Sequence, residues 1–302
     1  MCMILFESGE FCAFYGVVRY TLQWVQKLSS QLPVAGTARF LQGARIDGFL
    51  GGYWHPNTVS GATSLVVAKT PTSSLTLDAV QRQNNAPQLC HSLELYLRRR
   101  NPEVRLHEIR QLVPPTTKVN TWSRARLFHA PPPFKPSEGP HVDAVRAQPV
   151  KLDRFERVSR PARFDTVLIR SREQRTGVHR YRPARVRAIF QLPRRLSHLC
   201  DEKLVHVELF NSPSQNPNPP VGLYTTTRSI QDGIRSTLVV PLVDIAMTCH
   251  LAPRYSHFHP QNQLIQYADL LQLCEHFYLN IFASYFLYEL FQHWGQAGGS
   301  AA

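Results

Sequence analysis

Proline decides how far any regular element of this chain can run. The 302 residues include 23 Pro, and Pro114-Pro115, Pro131-Pro132-Pro133, Pro136 and Pro140 crowd one stretch. Each removes a backbone donor and clashes with the preceding helical turn. Long helices are therefore excluded there. The same middle third carries the charge. Residues 98–195 hold 21 Arg and 3 Lys against 8 acidic residues, a net of +16 in a chain whose total is +13. The first 97 residues sum to +1 and residues 196–302 to −4. Arg fills 28 of the 34 cationic positions, and its planar fork matches phosphate and carboxylate. Such a field points first to nucleic acid. A solvated basic linker fits the same composition.

The length allows two domains, or one with appendages. A hydrophobic content of 43%, with 16 Phe, 11 Tyr and 4 Trp, supplies a core and excludes full disorder. Cys2, Cys12, Cys90, Cys200, Cys249 and Cys274 form no CxxC pair, so zinc-knuckle spacing is absent. Residues 1–6 are apolar, but Glu7 and Glu10 follow and no basic segment precedes, which argues against a secretory signal. Reduced thiols in a nuclear or cytoplasmic protein are expected. The most apolar run, residues 277–291, is too short to span a membrane and contains Asn280 and Glu289. It predicts a buried strand or helix, with no membrane partner.

Residues 14–28 have apolar positions at helical spacing, including Val17, Tyr20, Trp24 and Leu28. Thr76 is a good N-cap for a helix over 77–83, and Asn84-Asn85 breaks it. Pro87 opens a second helix in which Leu89, Leu93 and Leu97 recur every four residues. Arg98, Arg99 and Arg100 suit the negative end of its dipole. Residues 76–100 thus have the pattern of a helix-turn-helix; an ordinary helical hairpin is the favoured reading, because the pattern is permissive. From Arg163 the pattern turns β. Residues 181–192 alternate, with Ala184, Val186, Ala188 and Phe190 on one face and Arg185, Arg187, Ile189 and Gln191 on the other. Residues 204–210 alternate too, and Asp232-Gly233 between 222–229 and 237–240 is a hairpin signal. Residues 242–249 predict a short helix.

The expected class is α+β. A helical piece (1–100) leads through an Arg/Pro-rich linker (101–162) to a small antiparallel, barrel-like β domain (163–295) and a disordered tail (296–302). The expected nucleic-acid-binding residues are Arg182, Arg185, Arg187, Arg194 and Arg195 on or beside one strand, with Arg98, Arg99 and Arg100.

An ordered set of segments carries a resemblance. It runs from Arg163-Phe164-Asp165-Thr166-Val167-Leu168 through Tyr181-Arg182-Pro183-Ala184-Arg185-Val186 and Val205-His206-Val207-Glu208-Leu209-Phe210. Gly222-Leu223-Tyr224, Val240-Pro241-Leu242-Val243-Asp244-Ile245, His250-Leu251-Ala252-Pro253 and Phe277-Tyr278-Leu279-Asn280 complete it. This order resembles the C-terminal region of fungal transposon proteins of the Plavaka and Kyakuja–Dileera–Zisupton groups, over less than half of the chain. In those families the resemblance places strand transfer in an RNase H-like core further N-terminal. The carboxylates before Arg98 are Glu7, Glu10, Asp47, Asp78 and Glu94, with no sign of a two-metal centre. The resemblance therefore implies a non-catalytic, transposon-derived protein. A more distant likeness to a bromo-adjacent-homology barrel implies the alternative of a chromatin or protein-interaction module with acidic partners.

Other chemistry is weaker. Cys249-His250, His257, His259 and Cys274-Glu275-His276 are the densest ligand cluster but lack paired Cys spacing, so no metal is expected. There is no GxSxG. Gly48-Phe49-Leu50-Gly51-Gly52 lacks the Lys-Ser/Thr of a phosphate loop, so no cofactor is expected. The expected partner is DNA rather than RNA, bound through Arg–phosphate contacts.

Overall fold

The computed structural model describes residues 64–129, 140–171, 177–219, 221–255 and 269–298. The chain divides into two units, Met1–Thr58 and Val59–Ala302, and every described residue belongs to the second. The helix expected over 14–28, and His257 and His259, lie outside the described residues.

Strands β1 (Ser64–Val67) and β2 (Ser73–Thr76) precede helices α1 (Leu77–Gln83), α2 (Leu89–Arg100) and α3 (Leu106–Leu112). Then come β3 (Lys118–Trp122), β4 (Arg124–His129), β5 (His141–Gln148), β6 (Lys151–Leu152), β7 (Val158–Arg160), β8 (Arg163–Phe164) and β9 (Thr166–Arg170). Next are β10 (Tyr181–Gln191), β11 (Leu204–Leu209), β12 (Thr225–Thr227), β13 (Ile230–Gln231), β14 (Ile234–Arg235) and β15 (Thr237–Pro241). Last are β16 (Ile245–Cys249), β17 (Leu251–Pro253), α4 (Leu270–Leu273), β18 (His276–Leu279) and α5 (Tyr285–Gly298). Among the described residues no helix is long and apolar enough to cross a membrane.

A seven-stranded antiparallel sheet is the centre. Its main path is β15-β11-β10-β3-β2, with β9 also on β10 and β16 on β9. Strand β10 gives one long side to β11 and divides the other. Residues 181–185 pair with β9, and residues 189–191 pair with β3. The path ends at β15 and β2, which do not pair, so the expected barrel is corrected to an open sheet.

Both faces of that sheet are covered. On one face Leu77, Leu89, Leu93, Leu97 and Ile109 of the helices pack on Phe190, Leu204 and Val239. On the other, Leu127, Val145 and Ala147 of the four-stranded sheet β1-β4-β5-β8 pack on Val167, Val186 and Val207. Each fully buried Leu or Val contributes about 1.5–3 kcal/mol. The two helices expected over 76–100 are present. Thr76 caps α1, its Oγ1 accepting from the Ala79 N–H at 3.2 Å.

The linker expectation is corrected, and with it the domain boundary at 163. Residues 101–162 contain α3 and β3 to β7. Along β4, Ala125, Leu127 and His129 are buried while Arg124 and Arg126 are exposed. Those arginines are the outward half of a period-two strand. Trp122 is buried, and its Nε1 donates to the Ala68 carbonyl at 2.9 Å. The short helix expected over 242–249 is one 3-10 turn, Leu242–Asp244, followed by β16, which pairs with β9. Helix α5 extends through part of the expected tail; residues 299–302 lie outside the described residues.

A β-bulge breaks the alternation of β10. Val186 faces Val207, but Ala188 faces His206, so Arg187 is the extra residue. Ala184 and Val186 therefore join one core, while Ala188 and Phe190 join the other. Asn84 at the end of α1 donates from Nδ2 to the Arg187 carbonyl at 2.6 Å, tying the bulge to the helical layer.

Candidate nucleic-acid interface

The eight expected arginines separate into two groups. Arg185 and Arg187 are 6% and 1% exposed, so their expected display on the sheet is corrected. The reason is that β10 is central and covered on both faces. Arg187 Nε lies 2.9 Å from Glu208 Oε2, and Arg185 Nη1 lies 2.8 Å from Asp269 Oδ2. Both meet their carboxylates at ion-pair distance without hydrogen-bond alignment. Their guanidiniums stand 4.9 and 5.6 Å from the centre of the Phe164 ring. Arg182 is also turned inward, donating to the Phe210 carbonyl at 2.7 Å and to Ser229 Oγ at 3.0 Å. Arg235 stacks on Phe210 at 4.4 Å, and burial pushes it down to about 10. His206, fully buried beside this network, is pushed down to about 3 by desolvation first and by the Arg187 charge second. Three of the expected DNA contacts are thus structural ions.

The second group is exposed and is gathered by the fold. Arg98, Arg99 and Arg100 end α2, and Arg194 and Arg195 open the 3-10 turn Arg194–Leu196. Leu196 and Leu199 share the core of Leu97. Asn101 Nδ2 clamps the two segments, donating to the Leu97 carbonyl at 2.9 Å and the Leu199 carbonyl at 3.2 Å. Arg100 adds an ion pair to Glu202 at 2.8 Å. Arg98 donates to the Pro102 carbonyl at 2.8 Å and to the Val104 carbonyl. Arg99, Arg194 and Arg195 have no side-chain partner among the described residues.

A buried cluster escaped the sequence reading. His129 and His141 face each other across β4 and β5, and Asp143 sits between them. Asp143 is 2.8 Å from His141 Nε2 and 3.4 Å from His129 Nε2, and it accepts from the Thr248 N–H at 2.9 Å. Burial alone would raise this carboxyl, but those bonds hold it well below the usual carboxylate range. The spacing His141-x-Asp143 on one strand face was its only signal. Both ring nitrogens face the carboxylate, and no group of three or more His, Cys, Asp or Glu among the described residues is placed to hold a metal ion. The Cys249 thiol nearby is pushed up to about 12, by burial first, which makes it a poor nucleophile.

No family model, curated protein or solved structure matches this chain.

Proposed function

We propose that this is a non-catalytic, transposon-derived protein that binds nucleic acid, DNA in preference to RNA, through Arg–phosphate contacts. The observation that supports the reading is that Asn101 and a shared core tie the end of α2 to the segment after β10, and these two segments carry the exposed Arg98, Arg99, Arg194 and Arg195. Helix and turn are held by a shared core, so the guanidiniums start from fixed anchor points, as a phosphate-binding surface requires. Transposon descent rests on the ordered segments from Arg163 to Asn280.

Fluorescence anisotropy with a labelled duplex tests the binding. Affinity should fall linearly in log–log form with salt, each phosphate contact adding about −0.9 to the slope. The triple variant R99E/R194E/R195E should flatten that slope and weaken binding at least about tenfold. Absence of binding at low salt, or unchanged binding by the triple variant, sinks the proposal. An acidic peptide that displaces duplex would assign the surface to protein partners instead.

A further inference from the structure

The ribbon formed by β6 and β7 is a sheet of its own, and every residue from 150 to 160 is exposed. An isolated two-stranded ribbon is marginally stable, so its order needs local causes. The turn supplies them. Asp153 Oδ1 accepts from the Phe155 N–H at 2.7 Å and the Arg157 N–H at 2.9 Å, and the Asp153 N–H donates to the Arg157 carbonyl at 2.8 Å. Ser159 Oγ donates to the Lys151 carbonyl at 3.1 Å.

The register sorts the side chains. Lys151 pairs with Arg160, and Leu152 pairs with Val158. One cross-strand pair is cationic and the other apolar. At the tip Phe155 is 63% exposed, and the guanidiniums of Arg154 and Arg157 stand 4.6 and 5.9 Å from its ring centre. Four cations face two acids, and the Asp153 carboxylate is already engaged in the turn.

We infer that this ribbon is an arm that wedges Phe155 between base steps of duplex DNA while Lys151, Arg154, Arg157 and Arg160 contact the flanking phosphates. The inference rests on the nucleic-acid reading above and names the form of DNA and the contact. Two-stranded ribbons fit a duplex groove, and apolar wedges kink the helix by unstacking a step. The charge pattern disfavours a lipid surface. Driving Phe155 into hydrocarbon would drag two guanidiniums with it, whereas a base step admits the ring and leaves the cations among phosphates.

The experiment uses the full chain and an end-labelled duplex of about 30 base pairs, a length suited to bending. Resonance energy transfer reads the bend and anisotropy reads the affinity. Wild type should bind and bring the ends together. Phe155→Ala should bind within about threefold and lose the bend, and R154E/R157E should weaken binding about tenfold. Phe155 is largely exposed, and an unchanged melting temperature checks that the variant folds. Duplex binding without a bend, or a bend that survives Phe155→Ala, overturns the arm and leaves the nucleic-acid reading standing. Absence of duplex binding at low salt removes both. Phe155-dependent retention on phosphatidylserine vesicles, with no bent duplex, assigns the ribbon to a membrane and overturns the arm.

Discussion

Arg187 and Arg194 stand seven positions apart in one Arg-rich segment, yet they live in opposite media. Arg187 is 1% exposed, pinned by Glu208 and covered by two layers; Arg194 is exposed at a helical turn with no partner among the described residues. The difference teaches that arginine density does not mark a binding surface. Where an arginine lies in a sheet covered on both faces, it must find a carboxylate or leave its charge uncompensated. Among the described residues, exposed guanidiniums lie away from that covered sheet: Arg99 at the end of α2, Arg194 and Arg195 after β10, Arg124 and Arg126 on the outward side of β4, and the arginines of the β6–β7 ribbon.

The largest expected break in this comparison is Arg187→Ala. It leaves Glu208 buried and unpaired, and should cost about 3–5 kcal/mol in denaturant unfolding. Arg187→Met with Glu208→Met should recover most of that loss. Wild-type stability in the single variant would place Arg187 with the exposed group. R99E/R194E/R195E should do the reverse, lowering duplex affinity about 10–100-fold while moving stability by no more than about 0.5 kcal/mol per site. A fall in melting temperature matching that of Arg187→Ala would erase the distinction.

The buried network also predicts a pH dependence. Folded His206 resists protonation until about pH 3, whereas the unfolded chain takes up that proton near the ordinary histidine value. The unfolded state binds more protons in that window, so stability should fall as pH drops below about 6.5, by at most about 1.4 kcal/mol per unit. Unfolding curves of His206→Gln should be flatter there; an unchanged slope would show that His206 does not carry the effect. Arg98 stands between the groups, exposed yet donating to two carbonyls. Arg98→Ala should cost only about 0.5–1.5 kcal/mol by thermal melting.

Much of the fold was legible from local signals. Thr76 and the Leu89, Leu93 and Leu97 spacing marked real elements, α1 and α2. Asp232-Gly233 marked a real turn, with φ of 52° and 74°, but it joins β13 to β14; the strands expected on either side of it do not pair with each other, β12 pairing with β18 and β15 with β11. Strands β4 and β5 were missed because Pro lies beside both and the outward side of β4 carries Arg124 and Arg126, which together read as linker. The bulge at Arg187 was illegible for another reason. It depends on the partner strand's register, which no window along β10 contains. The exposed half of the candidate site followed from sequence position alone. The buried half needed knowledge of what covers the sheet.

The divided side of β10 has a consequence for any shortened form of this chain. A piece beginning at the apparent boundary near residue 163 lacks β2 and β3. Residues 189–191 would then present unpaired N–H and carbonyl groups beside Phe190, now stripped of its helical cover. Such an edge is a template for the strand of another molecule. The truncated piece should associate and precipitate, whereas one beginning ahead of β1 keeps that side of β10 closed.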